Sequence, residues 1–369
     1  MSVPIERKTE VDTKLVRLRQ KMAERHIDAV MLTSIASTAW ITAGASLYVN
    51  ESTDLAASSI LVTEDRAYVV TDSIEAPRLQ HEEELGDLGF EFLVKTWYTS
   101  DDPTASLLAG KQVGLEGSGA GVDITVDLRH LRTVLQDEEI IRLRRVSAIA
   151  AEAMYETIEA VRPGMSEYEV AAKLAEAARE RGGTAVVNLI ASDERIYQYR
   201  HPLPTDKPIE RYAMLVLSMR KEGFVPSITR LIHFGPWPEE LRAKALAVAR
   251  VDARMILGTH PGRTLGDMFE LARRAYQDEG YPEAIAEHHQ GGSMAYYSRE
   301  IIARPGDTTP IEHNQAFAWN PSIRGVKSED TILSGPNGQE VLTGLINWPT
   351  WDIPVDGKTI ARPAILERS

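Results

Sequence analysis

The groups that could do chemistry fall in four short blocks of the chain's second half. The first is Tyr199-Arg200-His201-Pro202-Leu203-Pro204-Thr205-Asp206. The second is Ser227-Ile228-Thr229-Arg230-Leu231, and the third is His288-His289-Gln290-Gly291-Gly292. The fourth runs from Trp319-Asn320-Pro321 to Gly325-Val326-Lys327-Ser328-Glu329-Asp330-Thr331. An imidazole titrates near physiological pH, so His201 and His289 are candidates to take a proton from water and return it to a leaving group. Glu329 could hold the attacking water or stabilise a cationic nitrogen. Plainer readings stand beside these: His201 as a loop histidine that only hydrogen-bonds, and Glu329 as a buried anion paired with Arg230 or Arg324. Gly291 and Gly292 permit close backbone approach, and no Lys-Ser/Thr follows them, so they are not a phosphate loop. Cysteine is absent, which excludes a thiolate nucleophile, a disulfide and a cysteine-held metal.

The elements that must position these groups are legible from periodicity. Leu15, Leu18 and Met22 recur at helical spacing, and Ala29-Val30-Met31-Leu32 reads as the strand that follows. Ser59–Val62 and Ala67–Val70 flank the polar turn Glu64-Asp65-Arg66 as a hairpin. Ile74 to Leu85 is expected as a helix, with strands at Phe90–Val94 and Lys111–Leu115. A long helix is predicted over Glu138–Val161, ending at Arg162-Pro163-Gly164. A second starts at Ser166, with Glu169 three residues on as a capping box, and stops at Gly182-Gly183. The same order then recurs. A helix over Glu239–Leu257 ends at His260-Pro261-Gly262, and another starts at Thr264 with Asp267 three residues on and stops at Gly280. Each copy precedes a strand-rich segment, Val186–His233 and His288–Leu342. Five features in a shared order predict a structural duplication, and a crevice between two such halves is a natural ligand site.

On these blocks and this duplication, the second half resembles the pita-bread fold of methionine aminopeptidases, prolidases, proline-specific aminopeptidases and creatinase. The N-terminal third resembles the small domain of the prolidase and creatinase branch. The resemblance implies an α/β (α+β) chain: a creatinase-type domain over residues 1–136, then a duplicated pita-bread domain over 137–369. The family's metallopeptidases hold two metals through two aspartates, one histidine and two glutamates. Carried over residue by residue, Thr229-Arg230 keep the end of the Asp-x-Thr-Arg pattern, but Ser227 stands at the second aspartate. No carboxylate occurs over Val216–Ser218, where the first would fall. His289 matches the family histidine, with His288 as the adjacent alternative. The family's Glu-Pro is Asn320-Pro321, and Glu329 keeps the last glutamate. One imidazole and one carboxylate cannot hold two divalent ions that repel one another.

Creatinase is the family precedent for a fold without that metal site, and its catalytic histidine precedes the hairpin much as His201 does here. The expectation from sequence is therefore a metal-independent, creatinase-like C–N hydrolase of a small amide, amidine or ureido metabolite. His201, His289 and Glu329 would be catalytic. Ser227, Thr229, His288, Asn320, Arg324 and Tyr297 would bind substrate, with no metal and no other cofactor. Ser227, Thr229 and Asn320 would be the uncharged polar groups that such a pocket needs. Tyr296, Arg299 and Glu300 are further candidates to line it. The alternatives are a proline-specific metallo-aminopeptidase of the prolidase or aminopeptidase P type with an altered metal site, and a non-catalytic binding protein on the same fold.

Composition bounds the partners. The formal charge of −13 and the lack of a basic stripe argue against nucleic acid. No run of about 18 apolar residues could span a membrane. Charged residues from Glu6 to Lys14 interrupt any signal-peptide core, so a cytoplasmic location is expected. The expected partner is a small-molecule substrate, and the resemblance implies a homodimer.

Overall fold

The computed structural model describes residues 5–117 and 119–369, which form two compact units, Met1–Arg142 and Leu143–Ser369. The first unit holds helices α1 (Ile5–Glu24), α2 (Ile35–Ile41), α3 (Ala76–His81), α4 (Ala105–Leu108) and α5 (Thr125–Thr133). Its strands are β1 (Ala29–Ser34), β2 (Leu55–Thr63), β3 (Ala67–Asp72), β4 (Glu91–Lys95), β5 (Val113–Leu115) and β6 (Val122–Asp123). They form one sheet in the order β4-β3-β2-β1-β5-β6. The expected hairpin is present, with Val62 opposite Ala67. The helix expected over Ile74–Leu85 is shorter. It ends at His81, and Glu84 takes a positive φ of 55° that turns the chain toward β4.

Helix α6 (Asp137–Ala160) runs through the boundary into the second unit. There follow α7 (Glu167–Glu180), β7 (Thr184–Ser192), α8 (Glu194–Gln198), β8 (Tyr212–Arg220) and β9 (Ser227–Phe234). The second half-unit repeats the plan with α9 (Glu239–Gly258), α10 (Leu265–Asp278), α11 (Ala284–Glu287), β10 (Gly291–Met294), β11 (Ile301–Ile302) and β12 (Gln315–Trp319). Two short strands, β13 (Ser322–Ile323) and β14 (Val326–Lys327), precede β15 (Asp330–Gly335) and β16 (Gly338–Val341). A tail of β17 (Thr350–Val355), β18 (Lys358–Pro363) and β19 (Leu366–Arg368) completes the chain. One sheet runs β19-β9-β8-β7 and another β11-β10-β12-β15-β16, while β13-β14 and β17-β18 pair as two-stranded sheets.

The duplication extends to hydrogen bonds. Ser166 and Thr264 each cap a helix with a reciprocal capping box, through Glu169 and Asp267. Each cap residue also makes an isolated bridge to a later proline, Ser166 to Pro208 and Thr264 to Pro310. Ile209 N–H donates to the Met165 carbonyl, and Ile311 N–H to that of Arg263, both at 2.8 Å. Gly164 and Gly262 both turn with positive φ, 89° and 92°, between the paired helices. A core of Val248, Met255, Phe317, Trp319 and Ile332 fills this unit. Trp319 also spends its indole N–H on Thr259 Oγ1 at 2.8 Å. Among the described residues no helix is long and apolar enough to cross a membrane.

Candidate active site

The histidine block leaves α11 and enters β10 at the two glycines. Gly291 has a φ of +99°, and a Cβ on it would stand 2.0 Å from the Ala318 carbonyl oxygen. A Cβ on Gly292 would stand 1.9 Å from that of Ile301. These glycines are required because β10 is squeezed between β11 and β12. Behind them the buried Gln290 donates through Nε2 to the His288 carbonyl at 2.5 Å and accepts from the Tyr276 hydroxyl at 2.8 Å. The backbone that presents His288 and His289 is thereby fixed.

His201 comes from a loop without regular structure, and Glu167 organises that loop. This fully buried carboxylate accepts from Ser192 N (2.8 Å), Ser192 Oγ (2.9 Å), Thr205 N (2.9 Å), Thr205 Oγ1 (2.8 Å) and the Arg195 guanidinium. Burial opposes its ionisation, but these bonds, led by Arg195, hold it below the usual carboxylate range. Arg195 in turn donates to the Leu203 carbonyl at 3.0 Å. A second clasp joins the neighbours of the two histidine blocks: Glu287 accepts from Arg200 and, at 2.8 Å, from Arg324 Nε.

These constraints bring three imidazoles together. His201 Nε2 and His288 Nε2 are 3.1 Å apart, and the ring centroids of His288 and His289 are separated by 4.6 Å. Among the described residues this is the group of three metal-ligating side chains whose ligand atoms all lie within 4.8 Å of one another. His201 is exposed, His289 half-buried and His288 buried. His288 Nδ1 is buried without a hydrogen-bond partner. Partial desolvation by its neighbours, then the Lys327 charge, lowers the pKa of His201, and burial, then Lys327, takes that of His288 down to about 2. Burial and the nearby Arg299 take His289 to about 4. The surroundings therefore favour the neutral form of all three rings.

Glu329 lies beside them, held against β9 by a bridge from Thr229 N–H to the Glu329 carbonyl at 3.1 Å. Its carboxylate is buried and fully occupied. Lys327 Nζ lies 2.8 Å from Oε2, Arg299 Nη2 2.7 Å from Oε1, and Thr229 Oγ1 donates to Oε2 at 2.6 Å. Burial would raise its pKa, but Lys327 and then Arg299 outweigh that and hold it far below the usual range. The partners expected from sequence are not the ones found. Arg230 pairs with Asp330 at 2.8 Å, and Arg324, largely exposed, pairs with Glu287.

Ser227 and Ser218 face each other across β8 and β9, with their hydroxyls 2.9 Å apart, and Arg299 Nη1 lies 3.2 Å from Ser227 Oγ. Asn320 is buried with Oδ1 unpartnered. Tyr297 is half-buried, and its backbone N–H donates to Glu300. The site thus gathers His201, His288, His289, Ser227, Thr229 and Glu329, while Arg324 sits outside it. Lys327, Arg299 as a partner of Glu329, Glu167 and Gln290 were not singled out from sequence for these roles. A strand signal could have found Lys327, because residues two apart on extended backbone share a face and Lys327-x-Glu329 reads as an ion pair.

Two divalent ions do not fit this donor set. Where bridging carboxylates would be needed stand Ser218, Ser227 and Asn320. The single carboxylate, Glu329, already has two cationic side chains against it.

Comparison with known proteins bears on what the site does. The family model described as "Metallopeptidase family M24" matches residues 141–335. The chain is 25% identical over 361 residues to the Xaa-Pro dipeptidase of Pyrococcus horikoshii, covering 90% of this chain and 97% of that one. Among solved structures, the prolidase of P. horikoshii OT3 matches with a TM-score of 0.75 at 23% identity, over 90% of this chain and 98% of that one. An Xaa-Pro dipeptidase from Bacillus anthracis matches with a TM-score of 0.74 at 21% identity, over 97% of this chain and 100% of that one. The α/β pita-bread architecture is that of these prolidases. The expectation of a metal-independent, creatinase-like amidohydrolase is corrected here. The matching family is one of metallopeptidases, and a relative matched over 97% of its length is an Xaa-Pro dipeptidase.

Proposed function

We propose, from the premise that this chain belongs to metallopeptidase family M24, that it hydrolyses short peptides at the amide bond preceding proline. One observation carries the reading. His201, His288 and His289 converge beside the buried Glu329 within the unit that the family model matches. Likeness to an Xaa-Pro dipeptidase over nine-tenths of the chain supports the substrate class.

Amide hydrolysis needs a proton taken from water, charge stabilisation on the carbonyl oxygen, and a proton for the leaving nitrogen. The three imidazoles, with His201 the most exposed, are the groups placed to activate water beside a bound substrate. Lys327 and Arg299 exceed Glu329 by one positive charge, which favours a developing oxyanion or a substrate carboxylate. Asn320 Oδ1 can accept a substrate N–H, and Ser227 and Thr229 complete a polar wall.

The test is a panel of X-Pro dipeptides with X-Ala controls, assayed with and without added divalent ions. The expected result is cleavage confined largely to the X-Pro members. No cleavage of any member under any metal condition would remove the reading and leave a binding protein on this fold.

A further inference from the structure

The family's carboxylate-bridged pair of ions does not fit here, yet three ligand-competent side chains meet near Glu329. We infer that His201, His288 and His289 together form a site for a single divalent transition-metal ion, of the kind that imidazole donors prefer. The inference rests on the proposed peptidase reading for its catalytic meaning, but not for its existence.

Geometry carries it. The His201 and His288 Nε2 atoms are 3.1 Å apart. Two nitrogens bound to one tetrahedral ion at about 2.0–2.1 Å would be separated by about 3.3 Å, so the observed spacing is already near that of two ligands. Ligand atoms of all three rings lie within 4.8 Å, which modest side-chain rotation can close. His201 is exposed, so an ion and a substrate have a route to the cluster.

Donor chemistry selects the ion. Three imidazoles with a fourth position open match catalytic zinc and its neighbours in the transition series, whereas magnesium and manganese prefer oxygen ligands. The supporting shell is built. Gln290 and Tyr276 fix the His288 backbone, Glu167 fixes the loop that carries His201, and the Arg200–Glu287 pair clasps the two segments. Lys327 and Arg299 oppose a bare dication and favour an anionic fourth ligand, so a carboxylate or hydroxide is expected to complete the site.

The experiment uses the full chain, stripped with chelator, then titrated with Zn2+ by calorimetry and with Co2+ by visible absorption. The expected result is one ion per chain and the intense visible bands of a low-coordinate Co2+ site. His201→Ala, an exposed position, should weaken affinity by more than about 100-fold, while Glu329→Gln, which removes a nearby negative charge but no ligand, should weaken it far less. Two ions per chain, or loss of binding in Glu329→Gln with retention in His201→Ala, would overturn the inference in favour of a family-type centre. Equal Zn2+ affinity in wild type and His201→Ala would also overturn it, leaving the 3.1 Å contact as an N–H···N hydrogen bond. Tight binding without X-Pro cleavage would sink only the peptidase reading, and cleavage without stoichiometric metal would sink only this site.

Discussion

Lys327 Nζ stands 2.8 Å from Glu329 Oε2, with both side chains about 5% exposed or less. The one acidic position that the family resemblance preserves is therefore neutralised from within the chain. Arg299 completes the arrangement from the other side of the carboxylate. Removing either partner from a buried pair leaves an uncompensated charge, which is far more damaging than replacing both.

Lys327→Met is accordingly expected to destabilise the fold by about 3–5 kcal/mol. The double variant Lys327→Met/Glu329→Gln should recover a substantial part of that loss. Urea denaturation of wild type, the two single variants and the double variant measures the coupling. Additive losses would mean that the two side chains act independently.

Glu167 provides a pH-dependent prediction. Its pKa in the folded chain is lowered, so it contributes stability above the unfolded carboxylate value, and that contribution is lost as pH falls through the folded one. Glu167→Gln should therefore lower the melting temperature at neutral pH, by an amount equivalent to about 1–3 kcal/mol. The gap from wild type should shrink as the solution is acidified below about pH 4, the range of ordinary carboxylates. A gap independent of pH would show that packing, not ionised hydrogen bonding, holds the loop.

The glycines of β10 give a third. Gly292→Ala places a methyl group 1.9 Å from the Ile301 carbonyl oxygen, with backbone on both sides and no flexible side chain to yield. A loss of about 3 kcal/mol or more, or failure to accumulate folded protein, is expected in thermal melts. Wild-type stability in this variant would mean that the β10–β11 ladder is dispensable.

Arg200→Ala tests positioning separately from folding. The Arg200–Glu287 pair is only partly buried, so its removal should cost no more than about 1 kcal/mol of stability. It frees the segment carrying His201 from the one carrying His288. A fall in kcat with a nearly unchanged melting temperature is expected, read from steady-state kinetics on an X-Pro dipeptide. Unchanged kcat would show that the clasp does not organise the site.

The duplicated half-units were legible because their signals are local. A capping box, a Pro-Gly or Gly stop and an amphipathic run can each be read within a few residues, and Ser166–Glu169 and Thr264–Asp267 both form as read. The histidine blocks were legible as chemistry but not as one cluster. His201 and His288 are 87 residues apart and meet only because Glu167 and Glu287 tie down the segments beside them. The pairing of Glu329 failed for a related reason. Arg230 precedes it by 99 residues and was a reasonable partner, but Asp330 claims Arg230 instead. The helix expected over Ile74–Leu85 overran because its apolar spacing continues past the point where Glu84 reverses the backbone.

The most direct measurement is kcat/KM for an X-Pro dipeptide in wild type and in His201→Ala, each supplied with Zn2+. Removing one of the three imidazoles is expected to lower kcat/KM by about 100-fold or more without unfolding the chain. Equal values in the two proteins would contradict the assignment of the catalytic centre to the histidine cluster.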